Sequence, residues 1–105
     1  MKHFNKDKRI INNYKEQEKM MILIYAQWCV NHGIDPIELY HEAYPEQQTN
    51  DVLEEAVRRT VSKEESDSIS DDVLLQALQT FGNHDLAFVV QQKTNELEES
   101  KIEQD

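Results

Sequence analysis

A chain of 105 residues with two Gly, two Pro and a net charge of −10 has the length of one domain and too few turn residues for an all-β fold. The charge is uneven: residues 1–19 hold six Lys or Arg against three acids, a net of +3, while residues 20–105 hold five against eighteen, a net of −13. The acidic body argues against a nucleic-acid-binding face, which needs positive charge opposite phosphate, and a single Cys excludes an internal disulfide framework.

Residues 1–9 are polar and basic and read as a flexible N-terminal arm; an arm that touches an anion or an acidic neighbour is the other reading. A first helix is predicted over 10–32. Ile10, Ile11 and Tyr14 lie at helical spacing, and neither Gly nor Pro interrupts the chain before Gly33. The densest apolar run, Met20 to Val30, falls inside this helix. Residues 20–26 are apolar on every side and are expected to be surrounded. A buried strand is the competing reading of Ile, Tyr and Trp, but the helical flanks and the Gly33 stop favour a helix. The run of eleven residues includes Gln27 and is short of the roughly 20 needed to span a bilayer. The sequence before Cys29, Tyr-Ala-Gln-Trp, lacks the small residues of a signal cleavage site. The expectation is a cytoplasmic protein with no membrane contact, in keeping with one unpaired Cys.

Asp35-Pro36-Ile37-Glu38 opens a second helix over 35–44: Asp35 can cap, Pro36 suits the first helical position, and Pro45 stops it. Ile37, Tyr40 and Tyr44 share one stripe and Leu39 and Ala43 another, with Glu38, His41 and Glu42 facing outward. A third helix, 50–61, starts at Thr49-Asn50-Asp51 and buries Val52, Leu53, Ala56, Val57 and Val61; Glu54–Arg58 and Glu55–Arg59 pair on its outer side. Residues 62–68 are a polar loop. Ser70 caps a fourth helix, 70–81, whose Val73, Leu74, Leu75, Ala77, Leu78 and Phe81 are apolar and which ends at Gly82. A fifth helix, 84–97, buries Leu86, Ala87, Phe88, Val89 and Val90. The fold class is therefore all-α: a compact bundle of about five helices packed around a central N-terminal helix. It forms one domain over 10–97, with a frayed acidic tail over 98–105. In composition the chain resembles small acidic helical proteins common in bacteria.

Candidate chemistry is sparse. Glu38 and His41 have the Glu-x-x-His spacing of a metal-binding helix, and Cys29 and His32 are also i,i+3, but each pair supplies only two ligands where a site needs about four. No metal and no cofactor are expected. Adjacent acids such as Asp71-Asp72 point apart on a helix and do not make a general acid/base pair. There is no Gly-rich phosphate loop and no nucleophile motif. The chain reads as a non-catalytic protein–protein interaction or regulatory module, with a protein partner or a second copy as a possible homodimer. The alternative is an acidic inhibitor or nucleic-acid mimic occupying a basic DNA- or RNA-binding protein. The two apolar stripes of the second helix exceed what one core face needs. Ile37, Leu39, Tyr40 and Tyr44 are therefore the candidate partner-binding residues, with Glu38 and Glu42 as an acidic rim.

Overall fold

A computed structural model describes residues 2–47 and 51–104, and the side chains of 15–47 and 51–99. The described residues form five α-helices and no strand. These are α1 (Lys2–Asn31), α2 (Pro36–Ala43), α3 (Asp51–Arg59), α4 (Asp71–Thr80) and α5 (His84–Gln104). α1 lies against α2, α3 and α4, and α5 packs on α2 and α4. The N-terminal helix is therefore central, as its apolar run demands. α1 begins at Lys2 and α5 continues to Gln104, so both helices extend beyond the predicted bounds. The side chains of Ile10, Ile11 and Tyr14, and residues Thr49 and Asn50 of the expected third-helix start, lie outside the described residues.

Local chemistry fixes the element ends. α1 and α4 stop in the same way. The Gly33 amide donates to the Val30 carbonyl at 3.1 Å and the Ile34 amide to Cys29 at 2.8 Å; Gly82 donates to Gln79 at 3.0 Å and Asn83 to Leu78 at 2.8 Å. Both are six-to-one plus five-to-two closures, and they require the left-handed φ of +70° at Gly33 and +76° at Gly82. Asp35 Oδ1 accepts from the Ile37 and Glu38 amides at the start of α2, and Ser70 Oγ accepts from Val73 at the start of α4.

The core is built from Met21, Tyr25, Trp28 and Cys29 of α1 with Leu39, Leu53, Leu74, Leu78, Leu86 and Val90, all 2% exposed or less. Among the described side chains of α1, burial begins at Met21. Residues 15–20 are exposed throughout, and Met20, expected to be surrounded, is 58% exposed. A continuous apolar run on a helix turns through every direction, and the Met20 side faces the surface. The same geometry corrects two other expected core residues: Val52 and Phe88 are exposed, the latter at 64%, and the apolar Val73 of α4 is exposed as well. Five successive apolar residues, 86–90, cannot all face inward from one helix, and Phe88 is the one that turns out. Val61 lies beyond the end of α3 and is also exposed.

Polar side chains of α1 tie the connections down. Gln27 grips Val61 at both ends: its Nε2 donates to the Val61 carbonyl at 2.9 Å, and the Val61 amide donates to its Oε1 at 2.9 Å. One turn on, Asn31 Nδ2 donates to Ser66 Oγ at 3.2 Å. Trp28 Nε1 donates to Asp71 Oδ1 at 2.8 Å, and Tyr25 Oη to the Pro36 carbonyl at 2.7 Å. The long α3–α4 connection and the starts of α2 and α4 are thus referenced to one helix. Among the described residues no buried side-chain nitrogen or oxygen lacks a partner.

Candidate protein-interaction surface

The structure spends both apolar stripes of α2 inside the chain. Leu39 is 1% and Tyr40 7% exposed, and Ile37, Ala43 and Tyr44 are half-buried against the core. Tyr44 Oη donates to Asn83 Oδ1 at 3.1 Å, Tyr40 Oη to Gln47 Oε1 at 3.1 Å, and the two rings pack 5.0 Å apart. Only Glu38 and Glu42 of the six candidate residues are exposed. α2 packs on α5, α1 and α3, so Leu39 and Tyr40 are taken up by the core and only part of Ile37 and Tyr44 is left at the surface.

Exposed apolar residues meet in a groove of about 410 Å³ between α1 and α3. α1 contributes Glu16, Lys19, Met20 and Leu23, spaced i, i+3, i+4, i+7, which is one helical stripe. α3 contributes Asp51, Val52, Glu55, Ala56 and Arg59. Met20, Leu23, Val52 and Ala56 form the floor and the five charged residues the rim. A smaller hollow of about 240 Å³, lined by Lys15, Glu18, Lys19 and Val52, continues the groove towards the N-terminal half of α1.

The rim carries both signs. Glu55 accepts from Arg58 at 2.9 Å and from Arg59 at 3.3 Å, so it takes both guanidiniums rather than leaving Arg58 to Glu54. These arginines hold the Glu55 carboxyl below its usual range, Arg58 first by its hydrogen bond and its charge. Lys19 sits 3.9 Å from Glu16. All these groups are more than half exposed, so the local pairs hold them only weakly and they can re-pair with an incoming surface.

Elsewhere the chemistry is quiet. Cys29 is fully buried, and desolvation pushes its thiol up to about 12; burial raises the neighbouring Tyr25 hydroxyl in the same direction. A thiol so raised is neither a nucleophile nor a ready metal ligand. His32 lies at the surface with its ring 4.6 Å from Trp28, and Glu38 and His41 stand on α2 with no third ligand. Among the described residues no three of His, Cys, Asp and Glu converge on a point that could hold a metal. Nor, among those residues, is any helix long and apolar enough to cross a membrane.

The groove was missed in sequence because Met20 and Val52 both head apolar runs and read as core. The signal that could have found it is the Glu16-Lys19-Met20-Leu23 stripe, where charge and apolar surface share one helical face.

The family model for YxiS matches residues 2–95, which takes in α1 to α4, both sides of the groove and the first half of α5. The chain belongs to the YxiS family. It is 45% identical over 82 residues to the uncharacterized protein YxiS of Bacillus subtilis (strain 168), a match covering 77% of this chain and 85% of that one. No solved structure matches it. The match joins this YxiS-family chain to a bacterial relative whose printed name assigns no activity.

Proposed function

We propose that this chain is a non-catalytic protein–protein interaction or regulatory module of the cytoplasm, and that the α1–α3 groove is its working surface. The observation that carries this reading is the groove itself: an apolar floor with exposed Met20 and Val52, framed by charged residues free to re-pair. An apolar floor inside a polar rim is how interfaces are built. The inert Cys29 and the scattered His residues support a role without catalysis. A lone buried thiol also suits a reducing compartment. A mimic of nucleic acid needs a surface of one sign, and the Lys19 and Arg59 positions on the rim disfavour that alternative.

The test is photo-crosslinking in the native cell, with p-benzoylphenylalanine placed at Val52 and, as a control, at the exposed loop residue Glu64. Discrete adducts from position 52 that are absent from position 64 are the expected result. Equal background labelling at both positions would remove the groove, and with it this reading.

A further inference from the structure

We infer that the occupant of the α1–α3 groove is a second copy of this chain, the two copies facing each other across a two-fold axis with their α1 helices antiparallel. The inference rests on the groove being an interaction surface and adds what fills it.

Three observations point to self-pairing. First, the rim mixes Glu16, Asp51 and Glu55 with Lys19 and Arg59. A two-fold interface brings a patch against itself and so must carry both signs to be complementary, whereas a partner of one charge would be opposed by part of this rim. Second, the charge of the whole chain is polarised across the groove. Residues 1–19 are +3 and residues 20–105 are −13, and the groove lies where one gives way to the other. An antiparallel pairing centred there sets each copy's basic segment beside the acidic body of its partner. Third, the lengths agree. Residues 2–15 of α1 continue as helix past the groove, about 21 Å at 1.5 Å per residue, and the part of α1 within the body, residues 20–31, is about 18 Å long. The Glu16-Lys19-Met20-Leu23 stripe then forms the centre of a helix–helix seam of the kind antiparallel helices share.

Two copies of −10 each repel at long range. At physiological salt that repulsion is screened beyond about 8 Å, and within the interface the mixed rim sets acids of one copy against bases of the other.

Sedimentation velocity of the full chain at physiological salt tests this. A concentration-dependent dimer is expected. Met20→Asp, at an exposed site, should weaken it roughly tenfold or more without changing the circular dichroism of the folded chain. Lys19→Glu and Glu55→Lys should each weaken it alone, and mixing those two variants should restore the dimer, because each charge then meets its opposite. These two variants carry the test if Met20→Asp fails to fold. A chain that stays monomeric up to high micromolar concentration overturns the inference; groove-specific crosslinks from position 52 to a different protein would still leave the module reading standing. A dimer indifferent to all three substitutions uses another face and overturns it equally.

Discussion

Cys29 and Gln27 are two residues apart and play opposite parts. Burial raises the Cys29 thiol from 9.0 to about 12, so the folded state holds its proton more tightly than the unfolded state. The stability linked to this group is complete below pH 9 and is lost as pH rises towards 12; the raised Tyr25 hydroxyl adds to the loss above its ordinary 10.0. Urea midpoints are therefore expected to fall above pH 9, less steeply in Cys29→Ala. Iodoacetamide should modify Cys29 in urea but not in the native protein. Gln27, by contrast, satisfies both backbone groups of Val61. Gln27→Leu leaves that amide and carbonyl without their partner and should cost about 1–3 kcal/mol in chemical denaturation. A loss within error would mean that water replaces the side chain without penalty.

At the scale of elements, α4 has the clearest local grammar. Ser70→Ala removes the hydroxyl that accepts from the Val73 amide and should cost about 1 kcal/mol. Leu74→Ala or Leu78→Ala, each at a site with no exposure, should cost about 2–5 kcal/mol. Thermal melts of the three variants should fall in that order. The starts of α2 and α4 and the stops of α1 and α4 were legible in the sequence because Asp35-Pro36, Ser70, Gly33 and Gly82 act within a few residues of themselves. The exposure of Met20, Val52 and Phe88 was not legible. Each is apolar and helical, and only the positions of neighbouring helices decide which way it faces. The same limit applies to α2, which looked surplus in apolar surface because its packing on α5, α1 and α3 is a tertiary fact. The groove, formed by residues far apart in sequence, had no local signature beyond its α1 stripe.

Over its described residues the molecule measures 64 × 32 × 23 Å, an elongated outline. Its acidic body sets the sign of the field felt by distant molecules. Random duplex DNA at physiological salt is therefore expected to give no sub-micromolar mobility shift. A salt-sensitive shift that vanished on deleting residues 1–9 would instead make the basic end a nucleic-acid contact. The single tryptophan adds a practical consequence. Trp28 is fully buried and hydrogen-bonded to Asp71 where α1 meets α4, with the exposed His32 ring against it; Met20 stands two turns away along the same helix. Its fluorescence should shift to the red when α1 leaves α4 and stay constant when copies pair across the groove. One intrinsic fluorophore thus follows folding while remaining blind to association, and the two equilibria can be separated on the same unlabelled sample.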